Sequence, residues 1–144
     1  MLNPILSVLM LISVFASPAI PTEKKFIYPP GTKAGGNYTP GILMDGTLYV
    51  SGQLGLDASG KLPADFEGEV KQSLENIGAV LKEAGMSSSD VVSVQVYLTD
   101  IELFQRMNAV YGSYFKDPRP TRTTVAVVKL VGQAHIEITV TARK

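Results

Sequence analysis

A single apolar stripe in the middle of the chain constrains the fold more than any other feature. Five large apolar side chains recur at intervals of three or four residues, so they fall on one side of an α-helix. They are Phe66, Val70, Leu74, Ile77 and Leu81. Asp65 stands where an N-cap residue is expected, and Gly85 stands where helices commonly stop. The spacing therefore predicts an amphipathic helix from Asp65 to Ala84 that must pack its stripe against another element.

Segments with strand-like patterns surround this helix. The predicted strands cover residues 41–44, 47–50, 92–98, 121–128 and 135–142. Asp45-Gly46 joins the first two, and this pair is typical of a two-residue hairpin turn with positive φ. In the third strand Val92, Val94, Val96 and Leu98 alternate with polar residues, which indicates one buried face. A second helix is predicted after Asp100, with apolar residues at helical spacing as far as Phe115.

The predicted order is strand, strand, helix, strand, helix, strand, strand, which favours an α+β fold. A length of 144 residues suits one domain, and two helices can cover one face of a mixed sheet. The other face carries too little charge to be a solvated surface; its residues include Tyr49, Tyr97, Thr139 and Val125 or Ala126. We therefore expect an oligomer that shields this second face.

The first residues are predicted to lie outside the domain. Ile5–Ala16 has twelve residues and no charge, which is too short for a stable membrane span of about 20 residues. The length and the small residues Val14 and Ala16 are typical of a signal peptide over residues 1–16, which predicts a periplasmic or secreted protein. A start assigned too early, or an uncleaved tail on a cytoplasmic protein, is the alternative. Residues 17–25 are predicted to form a flexible leader before the domain at 26–144.

Composition excludes several kinds of chemistry. The sequence has no Cys, which excludes disulfides, thiol nucleophiles, Cys-ligated zinc and iron–sulfur clusters. Its single histidine, His135, excludes a His-rich metal centre and makes a Ser/His/Asp triad implausible. Thirteen basic residues balance thirteen acidic ones, which argues against nucleic-acid binding by bulk electrostatics. Carboxylates, arginines, hydroxyls and backbone amides remain as candidates.

Two charged residues within strands are the leading candidates. Alternation places Arg122 and Thr124 on one face of their strand. Burying an arginine is costly unless an anion meets its donors, so Arg122 either binds a substrate carboxylate or pairs with an internal glutamate. Glu137 lies between two isoleucines and shares a face with His135. It either acts as an acid/base with a raised pKa or pairs with Arg122.

Three further residues are weaker candidates. Tyr38 lies in a loop, where an aromatic side chain either lines a pocket or only packs. Gly52, in Ser51-Gly52-Gln53, would allow close backbone approach to a ligand. His135 is interpreted as a partly exposed structural neighbour and not as a catalyst.

The chain resembles the Rid family, also called YjgF or the L-PSP endoribonuclease family. The resemblance covers about Gly35 to Lys144, and its fragments are specific through their order and spacing. They are G-N-Y at 36–38, S-G-Q at 51–53, Q-S-L-E-N at 72–76, M-N-A-V-Y at 107–111, P-T-R-T-T-V at 120–125 and I-E-I at 136–138. The resemblance implies a chorismate-mutase-like fold and a homotrimer.

The resemblance also implies an activity, the hydrolysis of reactive enamines and imines such as 2-aminoacrylate to 2-keto acids and ammonia. It implies that Arg122 holds the substrate carboxylate and that Glu137 positions the attacking water. The residues matching positions that line a pocket between subunits are Tyr38, Ser51, Gly52 and Asn108. Thr124 stands where the family often has Cys, so a role of the backbone amide would be kept and a role of the thiol would be lost.

This chemistry requires a water, an acid/base and an anchor for the carboxylate, so we expect no metal and no cofactor. Two alternatives belong to other classes. One is a ribonuclease, the activity that the family name records, which the zero net charge disfavours. The other is a non-catalytic trimer that binds a small ligand in the same pocket.

Overall fold

A computed structural model describes residues 23–32 and 34–144 of the chain. The expected signal peptide, residues 1–16, lies outside the described residues, as does most of the expected leader. Within the described part of the chain, no helix is both long enough and apolar enough to cross a bilayer.

Residues 23–32 and 34–144 form six strands and two α-helices. The strands are β1 (Lys25–Ile27), β2 (Gly41–Met44), β3 (Thr47–Leu54), β4 (Val91–Leu98), β5 (Thr121–Ala126) and β6 (Ile136–Arg143). The helices are α1 (Phe66–Glu83) and α2 (Phe104–Tyr114). Single 3₁₀ turns cover Ser88–Asp90, Ile101–Leu103 and Val131–Gln133. The predicted α+β class and the order of the predicted elements are confirmed.

Local chemistry fixes the turn and the ends of α1 as the sequence predicts. Asp45 and Gly46 both have positive φ, 50° and 70°, in the tight turn between β2 and β3. The Asp65 carboxylate accepts a hydrogen bond of 2.7 Å from the Gly68 amide and caps α1. Gly85 follows the helix in the left-handed region, with φ of 72°.

The sheet has the strand order β1-β2-β3-β6-β4-β5. Every neighbouring pair is antiparallel except β4 and β5, which are parallel because α2 forms the crossover between them. Both helices pack on one face, where the apolar stripe of α1 meets alternate residues of the central strands β3, β4 and β6. The predicted mixed sheet with two helices on one face is confirmed.

The other face of the sheet is exposed in the single chain. Tyr49 and Val125 are 51% and 42% exposed, and both lie on it. This is the face on which the sequence shows little charge. An exposed apolar face of this kind is typical of a surface that another subunit covers.

Several details differ from the sequence predictions. The predicted strand at 47–50 continues to Leu54, and the one predicted at 121–128 ends at Ala126. β1 was not predicted, because three residues are too few to show alternation, and it includes Lys25 from the expected leader. Val92 does not join the buried face, because the register between β4 and β6 shifts between Val91 and Ser93. Val91 is buried instead, and Val92 is 48% exposed. Asp100 caps a 3₁₀ turn that precedes α2.

Candidate functional site

The ladder between β3 and β6 is interrupted at Ser51 and Gly52. Val50 pairs with Val140 and Gln53 with Ile138, so two residues of β3 face one residue of β6. The Ser51 side chain turns away from the ladder and donates a hydrogen bond of 2.7 Å to the Thr39 carbonyl. The interruption therefore ties β3 to the loop before β2 and bends the strand at Gly52.

The carboxyl group of Glu137 lies directly against Gly52. A Cβ atom built on Gly52 would lie 1.9 Å from Glu137 Oε1 and 2.8 Å from its Cδ. Only glycine leaves the space that this carboxylate occupies. The sequence predicts that Gly52 allows a ligand to approach the backbone closely. In the single chain, the group that lies against Gly52 is the carboxylate of Glu137.

Glu137 and Gly52 line a cavity of about 770 Å³, which we call the Glu137 cavity. Its other polar lining residues include Tyr38, Ser51, Gln72 and Asn76. The Tyr38 side chain is largely exposed at this cavity. Four of the residues predicted to form a site thus meet here: Tyr38, Ser51, Gly52 and Glu137.

Polar side chains of α1 support the floor of the Glu137 cavity. Asn76 donates hydrogen bonds of 2.9 and 3.0 Å to the carbonyls of Leu54 and Leu56, and it accepts one of 3.0 Å from Gln72. The residue between them, Ser73, is fully buried and donates to the Gln53 carbonyl. These residues belong to the fragment Q-S-L-E-N at 72–76, which the sequence analysis used only as part of the resemblance and to which it gave no role. Their contacts show that they hold the end of β3.

A buried carboxylate that the sequence analysis missed holds the start of β6. Glu69 is 2% exposed and accepts hydrogen bonds of 2.7 and 3.1 Å from the backbone amides of His135 and Ile136. Nδ1 of His135 lies 2.9 Å from the second oxygen of Glu69. The only signal in the sequence is the position of Glu69 beside the apolar stripe of α1. Because Glu137 follows directly along the strand, Glu69 helps to place it.

The guanidinium group of Arg122 lies between two aromatic rings of α2. Its Cζ is 4.5 Å from the centre of the Tyr111 ring and 5.4 Å from that of Phe104. Its Nη1 is 4.0 Å from the sulfur of Met107. Aromatic faces attract a guanidinium through the ring quadrupole without using its N–H donors, so Arg122 keeps donors beyond the weak contact to the Met107 sulfur. Among the residues that the structure describes, no carboxylate pairs with Arg122.

Arg122 lines a second cavity, of about 480 Å³, which we call the Arg122 cavity. Its other lining residues are Asn108, Tyr111, Gly112, Arg119 and Pro120. Burial raises the pKa of Tyr111, while the charges of Arg122 and Arg119 act in the opposite direction. The cavity is therefore rich in positive charge.

Thr124 lies on the same face of β5 as Arg122, as the alternation predicts. Its hydroxyl is buried without a hydrogen-bond partner in the described part of the chain, and so is that of Tyr111. Such groups are rare in native proteins because each loses its hydrogen bonds to water on burial. The Thr124 side chain lines neither cavity.

One copy of the chain does not bring Arg122 and Glu137 together. Arg122 packs on the helix-covered face of the sheet, whereas Glu137 lies between core residues Ile136 and Ile138 and points to the other face. The two cavities share no lining residue. The internal ion pair between Arg122 and Glu137 that the sequence left open is not formed. Each charge therefore remains available to another molecule.

Residues 23–32 and 34–144 contain no group of three or more His, Asp or Glu side chains placed to hold a metal ion.

Comparisons with known proteins agree with one another. The sequence profile of the family described as Endoribonuclease L-PSP matches residues 30–144. The chain is 44% identical to a Bos taurus protein named 2-iminobutanoate/2-iminopropanoate deaminase, over 72% of this chain and 77% of the relative. It is 39% identical to a RutC family protein of Aquifex aeolicus, over 76% of this chain and 90% of the relative.

Solved structures share the fold. The crystal structure of RidA from an Antarctic Psychrobacter is similar, with a TM-score of 0.79, 33% identity, and coverage of 83% of this chain and 99% of that one. Escherichia coli TdcF with bound serine has a TM-score of 0.75 and 32% identity, covering 83% of this chain and 98% of that one. Both likenesses extend over nearly the whole of the other chain.

Proposed function

Since the chain belongs to the Rid family, also called YjgF or L-PSP endoribonuclease, we propose that it is a deaminase of reactive 2-imino acids. The reaction adds water to the carbon–nitrogen double bond and releases a 2-keto acid and ammonia. The names of the mammalian relatives, 2-iminobutanoate/2-iminopropanoate deaminase, support this substrate class.

The observation that carries the proposal is the free guanidinium of Arg122. It is held in place by aromatic rings, and its donors have no carboxylate partner in the described part of the chain. A planar fork of donors fits a substrate carboxylate with two parallel hydrogen bonds. Arg122 therefore serves as the anchor that orients the imine.

Glu137 supplies the acid/base. Its carboxylate lies in a cavity large enough to hold water beside the substrate. It accepts a proton from the attacking water as the carbon–oxygen bond forms, and the proton then passes to the leaving nitrogen. The product of this addition is a carbinolamine. Its hydroxyl proton moves through the same carboxylate to the amino group, so that the carbonyl of the 2-keto acid forms as the carbon–nitrogen bond breaks and ammonia leaves. Adding water and releasing ammonia transfers no electrons, so the reaction requires no redox cofactor.

In one chain, Arg122 and Glu137 lie in separate cavities. We propose a homotrimer in which the Arg122 cavity of one subunit meets the Glu137 cavity of its neighbour. The exposed sheet face around Tyr49 and Val125 would be covered in this assembly. Each complete site would then contain Arg122 from one chain and Glu137 from another.

Single substitutions test the proposed roles of Arg122 and Glu137. Arg122→Ala should lower kcat/KM by more than tenfold, because a charge-assisted bidentate contact is worth about 2–5 kcal/mol. Arg122→Lys should recover part of this loss. Glu137→Gln keeps the shape and removes the base, so it should lower kcat more than it raises KM.

Trimers mixed from equal amounts of Arg122→Ala and Glu137→Gln chains should regain about one quarter of the wild-type activity, since that fraction of random sites has both residues intact. No recovery in verified mixed trimers would contradict a site shared between chains.

Full activity of a stably folded Arg122→Ala protein would contradict the deaminase mechanism. RNA cleavage by the wild type that Arg122→Ala abolishes would favour the ribonuclease alternative.

A further inference from the structure

A second arginine lines the cavity that holds Arg122. Arg119 lies three residues earlier in the chain and reaches the same space as Arg122, Asn108 and Tyr111. Both guanidinium groups line this cavity, so both are placed to attract an anion there. Two guanidinium groups in one cavity repel each other unless anions neutralise them.

The backbone on both sides of Arg119 is stiff. Pro118 and Pro120 flank it, and each proline fixes its own φ. A residue before proline is also restricted to extended conformations, which applies to Arg119 itself. The start of the Arg119 side chain is therefore held beside the cavity with little loss of backbone entropy on binding.

Arg119 has donors left for a ligand. Its Nη1 is 2.7 Å from Oδ1 of Asp117, and both side chains are about half exposed or more. Exposed ion pairs of this kind contribute little to stability. A guanidinium carries five N–H donors, and this contact occupies one of them. A carboxylate in the cavity can therefore bind Arg119 or take the place of Asp117.

We propose that Arg119 forms a second anion subsite and that the preferred substrates are 2-imino acids with a carboxylate in the side chain. The inference rests on the proposed function, in which Arg122 holds the first carboxylate. It adds that Arg119 meets the second one and that Asp117 competes for the same donors. Imines derived from glutamate or aspartate belong to this class.

The turnover test compares two imines of equal carbon number, generated in place by oxidases from glutamate and from norvaline. The measured quantity is the ratio of kcat/KM for the acidic imine to that for the neutral one. Arg119→Gln should lower this ratio about fivefold, the effect of one partly exposed ion pair. Asp117→Asn should raise the ratio, because it frees Arg119. Arg143→Gln removes an equal charge outside the cavity and should leave the ratio unchanged.

A binding test does not depend on turnover. Calorimetry of 2-oxoglutarate and 2-oxopentanoate, which also differ by one carboxylate, should show tighter binding of 2-oxoglutarate and loss of that preference in Arg119→Gln. Unchanged ratios in Arg119→Gln, or equal effects of Arg143→Gln, would overturn the subsite even in an active deaminase. Preferential binding of 2-oxoglutarate through Arg119 without turnover of either imine would overturn the proposed function and support the subsite.

Discussion

In the Glu137 cavity, hydrogen bonds to the main chain hold the surrounding side chains, whereas in the Arg122 cavity aromatic faces hold the guanidinium. Asn76, which lines the cavity, donates to carbonyls at the end of β3, and Glu69, which lies outside it, accepts from amides at the start of β6. Around Arg122, the rings of Tyr111 and Phe104 make the close contacts. A hydrogen-bonded frame depends on single atoms with directional geometry. An aromatic frame depends on the presence of the ring and tolerates the loss of a polar atom.

Removing Glu69 should give the largest effect on stability. Glu69→Ala leaves the amides of His135 and Ile136 without their acceptor, which should lower the free energy of unfolding by about 2–4 kcal/mol. Glu69→Gln keeps an acceptor oxygen and should lose less. Chemical denaturation at one protein concentration measures both. Equal losses in the two variants would contradict the role of the hydrogen bonds.

Gly52→Ala should damage activity while the fold survives. The new methyl group meets the far end of the Glu137 side chain, which can move aside at low cost and then leaves its position. We expect kcat to fall about tenfold, a loss near 1.4 kcal/mol in the transition state, with the melting temperature nearly unchanged. Gly36→Ala is the matched control, because nothing lies within 4 Å of its added Cβ. Normal kcat in Gly52→Ala would show that the position of Glu137 is not critical.

Substrate binding in the Arg122 cavity should depend on the ring of Tyr111 and not on its hydroxyl. Tyr111→Leu removes the face beneath the guanidinium and should raise KM for 2-imino acids about twofold to fivefold, as expected for a cation–π contact of about 0.5–1 kcal/mol. Tyr111→Phe removes a buried hydroxyl without a partner in the described chain, so KM should stay constant and stability should not fall. A higher KM in Tyr111→Phe would show that the hydroxyl, and not the ring, supports Arg122.

Local signals in the sequence predicted much of the fold. Asp65, Gly85 and Asp45-Gly46 act within a few residues of their own position, so the helix ends and the hairpin follow from the chain alone. The exposure of Val92 does not, because the register shift beside it depends on how β6 pairs with β4. Alternation within a strand cannot show where a distant partner strand adds or skips a residue.

The candidate site shows the same division between local and distant information. Alternation placed Arg122 and Thr124 on one face of β5 and Glu137 on a face away from the isoleucines. It could not show that these faces are opposite, since that depends on the register of β5 and β6 against β4. The burial of Glu69 depends equally on the position of β6 beside α1, which no pattern within the helix shows.

If the proposed homotrimer forms, the placement of Glu137 and Arg122 in separate cavities makes the activity of each chain depend on protein concentration. Under the proposed assembly, a lone chain holds an anchor without a base and a base without an anchor. Turnover per chain then falls on dilution by the law of mass action, and it rises again when copies meet. Synthesis of more protein would increase both the number of chains and the fraction of chains that form complete sites. At low concentration, the total rate of turnover would therefore rise more steeply than the protein concentration.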